Sequence, residues 1–399
     1  MSLELSKKGL LVKPSSTLAI TAKAKELRAK GLDVVGFGAG EPDFNTPDNI
    51  NATAIKAIQD GFTKYTAAAG TPELRKAISD KFKTVNHLNY EPDQVIVSNG
   101  GKHALTNIFE AILNPGDEVI IPTPFWLSYP EIVKLEDGVP VFVRCDASQN
   151  YKITPEQLAA ACTEKTKAFV LNSPNNPTGM VYSKAELEAL AKVIVEKDIY
   201  VISDEIYEYL TYDGEQMVSI GSLNDEILAH TITCNGMAKG YAMTGWRIGY
   251  TGAPKAVAKV MASIQSHQTS NPNSVAQMAS LEAITGPQES VGIMRQEFDR
   301  RRLYMFDRIS KMPHVSTICP RGAFYVFVDI SKALELSYNG KKIETCAEFA
   351  RILIEEYLTA VIPCADFGFA DHIRLSYAIS IEQIEKGLNR IEEFLNKLQ

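Results

Sequence analysis

One lysine lies in a segment of small residues that could admit a flat ligand. Lys239 stands between Ala238 and Gly240, follows the strand-like run 230–234, and precedes Arg247 by eight residues. Surroundings that lower the pKa of a lysine ammonium make it a nucleophilic amine, which can form a Schiff base with a carbonyl group. The downstream arginine can bind a phosphate through two parallel hydrogen bonds. The alternative is an ordinary lysine on a surface loop.

Two further segments at predicted strand ends suit a phosphorylated aromatic ligand. Residues 98–102 (SNGGK) join a strand to a helix, where free backbone N–H groups and the helix dipole favour a phosphate. Trp126, one of two tryptophans, follows the predicted strand 117–121 and could stack on an aromatic ring. A common two-glycine turn and a buried core tryptophan are the alternatives.

Amide and carboxylate groups follow two more predicted strands. Residues 172–179 (NSPNNPTG) form a proline-restrained turn that can hold the Asn176 side chain against a ligand oxygen. Asp204 follows the apolar strand 200–203, where an unpaired carboxylate is costly. A protonated pyridine nitrogen would be a suitable partner and would make that ring a stronger electron sink. A plain turn and a structural acid paired with an arginine are the alternatives.

Length and composition predict a two-domain cytoplasmic protein. A chain of 399 residues is too long for one core. The net charge of -7 argues against nucleic acid or an anionic membrane as a partner, and no apolar run is long enough to span a bilayer. The six cysteines are scattered without C-x-x-C spacing, which favours reduced thiols over disulfides or a metal site.

The order of the predicted elements indicates an α/β fold. Between residues 94 and 255, apolar runs alternate with helical patterns, which is typical of a mainly parallel sheet that binds ligands beyond its carboxyl ends. After residue 285, a long polar helix precedes predicted strands at 322–328 and 372–377, which suggests a smaller α+β domain. We therefore predict an N-terminal segment at 1–47 that belongs to the small domain, a large domain at 48–285 and a small domain at 286–399.

Four motifs, in their order and spacing, resemble the fold-type I enzymes that use pyridoxal 5'-phosphate. They are NPTG at 176–179, SDEIY at 203–207, AK at 238–239 and GWRIG at 245–249. More narrowly, the chain resembles the class I aminotransferases of the aspartate aminotransferase Ib subgroup. Essentially the whole chain takes part, since GEPDF at 40–44, GGK at 100–102, FWLSY at 125–129, GAFY at 322–325 and IRLSY at 373–377 also match.

The resemblance implies how the cofactor ring would be bound. Lys239 would form the Schiff base and later move a proton between the substrate Cα and the cofactor. Asp204 would pair with the pyridine nitrogen, supported by Tyr129. The phenolic oxygen of the ring would accept hydrogen bonds from Tyr207 and Asn176, and Trp126 would stack on the ring.

The resemblance also implies the phosphate and substrate contacts. The phosphate would be bound by Gly101, Lys102, Arg247 and, from the second subunit of a homodimer with shared sites, Tyr65. Arg374 would bind the substrate α-carboxylate. The same pocket would include Gly40, Trp126, Asn176 and, for a second carboxylate, Lys102 and Lys13.

Aspartate and 2-oxoglutarate are the expected substrates, because Lys102 and Lys13 could each bind the second carboxylate. A broader aminotransferase that also accepts prephenate, aromatic amino acids or alanine is the alternative, and an exposed tail charge is the alternative for Lys13. Two positions depart from the pattern. Gly236 stands where some relatives place a phosphate-binding serine, and Arg321 is expected to be a solvated surface arginine.

Overall fold

The computed structural model describes residues 4–12, 14 and 16–399. The N-terminal part consists mainly of helices, which are α1 (Lys7–Leu10), α2 (Ser16–Ala29), α3 (Asp48–Gln59) and α4 (Pro72–Val85), with one short strand, β1 (Val35–Gly36). Thr71 begins α4 by accepting a hydrogen bond from the Leu74 N–H, and Pro72 follows it at the first helical position, where no N–H is needed.

Residues 95–252 form a seven-stranded sheet. Its strands are β2 (Val95–Ser98), β3 (Glu118–Thr123), β4 (Val139–Arg144), β5 (Thr166–Asn172), β6 (Tyr200–Asp204), β7 (Thr231–Gly236) and β8 (Gly249–Gly252). The helices between them are α5 (Gly101–Ile112), α6 (Ser128–Leu135), α7 (Pro155–Ala161), α8 (Lys184–Glu196) and α9 (Asp225–His230).

The sheet order brings several strand ends to one edge. The order is β2-β8-β7-β6-β5-β3-β4, and only β8 runs antiparallel to its neighbours. The carboxyl ends of β5, β6 and β7, at Asn172, Asp204 and Gly236, are therefore adjacent. Helices cover the sheet so that most residues of β2, β3, β5, β6, β7 and β8 are buried, and Asn172 and Asp204 bring buried polar side chains to this edge.

The C-terminal part packs helices on a four-stranded sheet. Before it, α10 (Lys255–Gln268) packs on α5, and α11 (Ser274–Thr285) packs on α3 and α4. The helices of the C-terminal part are α12 (Glu289–Ser310), α13 (Ser331–Leu334), α14 (Cys346–Glu356) and α15 (Ile381–Leu395). Its strands are β9 (Ser316–Thr317), β10 (Tyr325–Asp329), β11 (Ser337–Tyr338), β12 (Lys341–Lys342), β13 (Thr359–Ala360), β14 (Ile362–Pro363) and β15 (His372–Ser376). The antiparallel order β14-β15-β10-β9 sets Phe327 of β10 opposite Arg374 of β15.

The N-terminal segment reaches this second sheet region. β1 pairs in parallel with β13, opposing Val35 to Thr359, and the buried Val35 and Phe37 join the core formed by the C-terminal residues. This contact agrees with an N-terminal segment that accompanies the small domain. The domain boundaries at 47/48 and 285/286 stay a prediction.

The predicted α/β architecture is confirmed. Helix α8 begins with a capping box, in which Ser183 and Glu186 form reciprocal hydrogen bonds. The predicted strand 322–328 begins late, at Tyr325, because Ala323 adopts a left-handed φ of 58° and Gly322 instead bridges to Thr211. Such a φ interrupts an extended strand.

Arg321 is exposed at the surface, as expected, and it also belongs to an ion-pair network. Its guanidinium donates to Asp213 Oδ2 at 2.9 Å, and Asp213 also pairs with the buried Arg302. The Arg321 side chain is 47% exposed, so it is partly solvated while belonging to an ion-pair network.

Two classes of feature are missing from the part of the chain that the structure describes. No helix there has the length and apolar character needed to cross a bilayer. No group of His, Cys, Asp or Glu side chains in the same part could hold a metal ion.

Candidate active site

A cavity of about 480 Å³ lies at the carboxyl edge of the large sheet. It collects side chains from the ends of β5, β6 and β7, from the start of α5 and from β15. Among the residues lining it are those predicted from the sequence: Gly40, Gly101, Lys102, Trp126, Asn176, Asp204, Tyr207, Lys239, Arg247 and Arg374. Residues more than 300 positions apart in the chain thus meet in one cavity.

Lys239 projects into this cavity from the loop that follows β7. Its Nζ donates a short hydrogen bond to the backbone oxygen of Gly40. Burial, assisted by the guanidinium groups of Arg374 and Arg247, lowers the pKa of the Lys239 ammonium to about 8, against the opposing effect of Glu41 and Asp204. About a tenth of this lysine is therefore neutral amine at pH 7, far more than for a lysine in water.

Asp204 is a buried acid at the end of β6. Tyr129 donates its hydroxyl to Asp204 Oδ2 at 2.6 Å, as predicted, and the Ile206 N–H donates to Oδ1 at 3.2 Å. Burial raises the pKa of the Asp204 carboxyl, although both hydrogen bonds oppose that shift. A cation placed beside Asp204 would favour the ionised carboxylate.

Tyr207 lies one turn beyond Asp204. Its hydroxyl is 2.9 Å from the hydroxyl of Tyr325, and burial raises the pKa of the Tyr207 phenol well above its usual range. The phenol therefore keeps its proton and can donate a hydrogen bond into the cavity. Tyr325 had no predicted role, because the two tyrosines are 118 residues apart in the chain.

Asn172, which also had no predicted role, links two of the loops through hydrogen bonds. Its Nδ2 donates to the backbone oxygens of Asp204 at 3.0 Å and Pro174 at 3.2 Å, and its Oδ1 accepts from the Asn176 N–H at 2.9 Å. The NSPNNPTG turn is thereby fixed to the end of β6. Asn172 is the first residue of the NSPNNPTG motif, and its place in that motif is the sequence feature that could have indicated its role.

Arg374 is the largest buried cation of the cavity. It is 2% exposed, donates from Nη1 to Asn176 Oδ1 at 2.9 Å and from Nη2 to the Gly38 oxygen at 3.3 Å, and lies 4.3 Å from the centre of the Tyr325 ring. Its Nε is buried without a hydrogen-bond partner. A buried donor of this kind is costly, and a bound carboxylate would satisfy it.

A second cationic region surrounds the start of α5. Gly100 precedes the helix with a φ of 87°. Within the described residues, no side chain caps the first backbone N–H groups of α5. In the described residues, neither Lys102 nor Arg247 forms an ion pair. Burial, and then the neighbouring Arg247, lower the pKa of the Lys102 ammonium. An anion such as a phosphate fits this region.

Close packing explains why position 236 is glycine. A Cβ there would lie 2.9 Å from the Ile248 backbone oxygen and 3.0 Å from Gly249 Cα. Because both neighbours are backbone atoms, a serine does not fit without moving β8. The phosphate contact that some relatives obtain from a serine is thus sterically blocked at this position.

Two predicted residues are not among those that line the cavity. Tyr65 is 92% exposed and lies outside the cavity. Lys13 lies outside the described residues. All the other predicted site residues meet in the cavity, while their roles in binding stay predictions.

Comparison with known proteins places the chain in a family. A sequence model of the class I and II aminotransferases matches residues 32–391. The chain is 50% identical to the aspartate aminotransferase of Bacillus sp. (strain YM-2) and 48% identical to the aspartate/prephenate aminotransferase of Cereibacter sphaeroides, covering 96% of each chain in both pairs. The crystal structure of the aspartate aminotransferase from Rhizobium meliloti matches over 100% of both chains, with 40% identity and a TM-score of 0.96. The family and fold expected from the motifs are thus confirmed, and the chain belongs to the class I and II aminotransferases.

Proposed function

We propose that this aminotransferase moves the amino group of L-aspartate to 2-oxoglutarate, giving oxaloacetate and L-glutamate, with pyridoxal 5'-phosphate as its cofactor. Family membership implies that cofactor, together with amino acids and 2-oxo acids as substrates. The observation that carries the choice of aspartate is the presence of two cations, Arg374 and Lys102, in the cavity of Lys239. A dicarboxylic substrate needs both.

The donor set of the cavity fits the proposed cofactor. Asp204 supplies an anion for a protonated ring nitrogen, and Tyr207 and Asn176 supply hydrogen bonds for the ring hydroxyl. The phosphate would be held by the start of α5 at Gly101, by Lys102 and by Arg247. Trp126, whose ring is held edge-on against Tyr129 at 5.4 Å between centroids, would cover one face of the ring.

When bound, pyridoxal 5'-phosphate supplies a carbonyl that carries the amino group and a ring that accepts electrons from the substrate Cα. Lys239 would hold it covalently through its neutral amine, which the lowered pKa provides. Once displaced by the substrate amine, Lys239 would move a proton from the substrate Cα to the cofactor, and in the reverse direction when the 2-oxo acid receives the amino group.

Arg374 would orient the substrate. Its guanidinium is already held by Asn176 and Gly38, so little conformational entropy is lost when it binds the α-carboxylate. Lys102 would bind the distal carboxylate, and Lys13 could assist it. Because Arg374 is buried, its attraction for a carboxylate is stronger than in solvent.

A broader specificity that includes prephenate is the second candidate. The relative from Cereibacter sphaeroides is named an aspartate/prephenate aminotransferase and is nearly as similar as the relatives named for aspartate alone. Prephenate also carries two carboxylates, so the same pair of cations could bind it. Aromatic amino acids and alanine lack the second carboxylate, so with these substrates Lys102 would contact the cofactor phosphate alone.

We also infer a homodimer with shared sites. Tyr65 is 92% exposed, an unusual state for an aromatic side chain, and a second subunit could bury it against the cofactor phosphate. A cytoplasmic location is consistent with six cysteines that form no disulfides among the described residues.

The substrate assignment is tested by measuring kcat/KM for aspartate, glutamate, alanine, phenylalanine and prephenate. We expect aspartate to exceed alanine and phenylalanine, and a Lys102→Met variant to lower the aspartate-to-alanine ratio about tenfold or more, since the distal carboxylate loses its cation. Weaker phosphate binding would lower kcat/KM for both substrates, so the aspartate-to-alanine ratio is not affected by it. An unchanged ratio, or a wild-type preference for alanine or phenylalanine, would contradict the proposal.

A further inference from the structure

A buried polar cluster lies beneath the segment that carries Asp204 and Tyr207. We call Lys81, Asn86, Glu205, Glu208 and Ser219 the Lys81 cluster. Side chains alternate along an extended strand, so Glu205 shares with Ser203 the face turned away from Asp204. In agreement, the Ser203 hydroxyl donates to Glu205 Oε1 at 2.9 Å.

The contacts of the cluster are direct and nearly free of solvent. Lys81 Nζ is 2.5 Å from Glu208 Oε1, and each of the two side chains is 4% exposed. Asn86 Nδ2 donates to Glu208 Oε2 at 2.8 Å, and the Ser219 hydroxyl donates to Glu205 Oε2 at 2.7 Å. The ammonium also lies 5.5 Å from the centre of the Tyr209 ring. Helix α4 and the loop before α9 thus hold both glutamates.

The charges of the cluster require Lys81. Two carboxylates and one ammonium are buried together. Burial raises the pKa of the Glu205 carboxyl to about 7, with Glu208 adding to the shift, while Ser219, Ser203 and Lys81 oppose it. Without Lys81, Glu208 would be a buried carboxylate with only an amide donor, a state that favours movement of the segment toward solvent.

The two glutamates hold the active-site segment from both ends. Glu205 immediately follows Asp204, Glu208 immediately follows Tyr207, and the Glu208 N–H donates to the Glu205 oxygen at 2.9 Å to close the turn. Because the turn is only four residues long, a shift of either glutamate moves the side chain beside it.

We propose that Lys81 is a positioning residue of the active site, which acts through Glu208 and Asn86 to fix residues 204–208 and thereby aim Asp204 and Tyr207 at the cofactor. The inference rests on the proposed roles of Asp204 and Tyr207. Lys81 itself touches neither the cofactor nor the substrate, and nothing in the motifs around Lys239 or Arg374 singles it out.

A purely structural role makes a different prediction. In that alternative, loss of Lys81 lowers the thermal stability of the enzyme but leaves the folded molecules with a normal site. In the positioning role, the folded molecules themselves bind the cofactor differently. The test must therefore be made on folded holoenzyme and on folded apoenzyme.

The test compares Lys81→Met with Lys76→Met. Lys76 is on the same helix, pairs with Asp80 and has a side chain 67% exposed, so it controls for loss of a lysine from α4. For Lys81→Met we expect about tenfold faster release of pyridoxal 5'-phosphate, a displaced pH midpoint of the cofactor absorbance, and about tenfold lower kcat with little change in KM for aspartate. Lys76→Met should match the wild type in all three.

Hydrogen exchange in the apoenzyme gives a readout that needs no cofactor. We expect the amides of residues 203–209 to exchange about tenfold faster in Lys81→Met, while those of the edge strand β4, which is separated from β6 by β5 and β3, are unchanged. If Lys81→Met does not fold, the double variant Lys81→Met/Glu208→Gln, which removes the ion pair without leaving Glu208 as an unpaired buried charge, is measured instead.

The outcomes separate this inference from the proposed function. Normal exchange at residues 203–209 in a folded variant, or normal cofactor release and absorbance, overturns the positioning role. Failure of both variants to fold assigns the pair to stability alone and also overturns it. A wild-type enzyme that binds no pyridoxal 5'-phosphate overturns the proposed function, whereas the exchange measurement still decides whether Lys81 fixes the segment.

Discussion

At the scale of single residues, the chemistry depends on how the cavity shifts the pKa of Lys239. Its ammonium is buried near two guanidinium groups, and only Glu41 and Asp204 favour the charged form. The balance leaves the pKa at about 8, compared with the usual value of about 10.4 for lysine. The neutral amine is therefore available to bind the cofactor without a separate base.

This pKa predicts how the apoenzyme reacts with an acylating reagent. Only the neutral amine reacts, so labelling of Lys239 should rise as pH increases through about 8 and then level off. A free lysine derivative in the same tube should keep rising to about pH 10.4. Mass spectrometry of the labelled peptide measures both, and Lys239→Ala identifies the peptide.

A matched variant sharpens the measurement. Glu41 accepts a hydrogen bond from the Thr244 hydroxyl at 2.8 Å, and its carboxylate favours the protonated lysine. Glu41→Gln should therefore move the labelling midpoint to lower pH. A wild-type midpoint near that of the free derivative would show that the cavity does not tune this lysine.

Most of the cavity could be predicted at this scale because its residues lie within short motifs. The AK, SDEIY and IRLSY motifs contain Lys239, Asp204 and Arg374, respectively. Asn172 and Tyr325 were assigned no role, since their contacts with Asp204 and Tyr207 join positions 32 and 118 residues apart. Steric facts such as the lack of space at Gly236 also depend on packing that a sequence does not display.

At the scale of elements, adjacent strand ends create the site. The alternation of strands and helices predicts a parallel sheet, and the carboxyl edge of that sheet follows from its direction. The order of the strands does not follow from the alternation. The antiparallel β8 lies between β2 and β7, which brings the GWRIG segment beside the start of α5. The two segments are so close that a Cβ on Gly249 would lie 2.4 Å from the Gly100 carbonyl carbon.

Asn172 provides a prediction at the element scale. It joins the end of β5 to the backbone of Asp204 and to the turn that carries Asn176. Asn172→Ala removes these bonds and leaves the buried Asn176 N–H without this acceptor, so we expect kcat/KM for aspartate to fall about tenfold or more. Cofactor titration of the apoenzyme should show weaker binding as well.

Asn175 offers a nearby comparison for that variant. Its side chain serves the turn itself by accepting from Thr178, rather than joining two strands. Asn175→Ala should therefore lower thermal stability more than it changes kcat at saturating cofactor. Equal effects of the two substitutions on kcat would mean that the strand-to-strand bridge has no special role.

At the scale of the whole molecule, one chain holds nearly all of the proposed site. The exception is Tyr65, whose side chain is almost fully exposed while the segment behind it is fixed by Gln277, which donates to Thr66 Oγ1 at 3.0 Å. A rigid segment that presents an exposed aromatic ring is suited to contact a second chain. No sequence pattern in one chain reveals which face that partner occupies.

The dimer proposal predicts a mass of two chains in solution. Light scattering of the purified holoenzyme measures it. Tyr65→Phe should keep that mass while weakening the binding of pyridoxal 5'-phosphate several-fold, because the hydroxyl would be lost from the phosphate site of the other subunit. A monomer with full activity, or unchanged cofactor binding in Tyr65→Phe, would refute the shared site.

The central claim is that Lys239 and its cavity transfer the amino group of aspartate. It is tested most directly by a single half-reaction, in which holoenzyme is mixed with L-aspartate in the absence of any 2-oxo acid. We predict that the cofactor absorbance moves to the shorter wavelength of its amine form, that one oxaloacetate appears per active site, and that Lys239→Ala with bound cofactor does so at a small fraction of the wild-type rate. An unchanged spectrum without oxaloacetate in the wild type, or an undiminished rate in Lys239→Ala, would contradict the account.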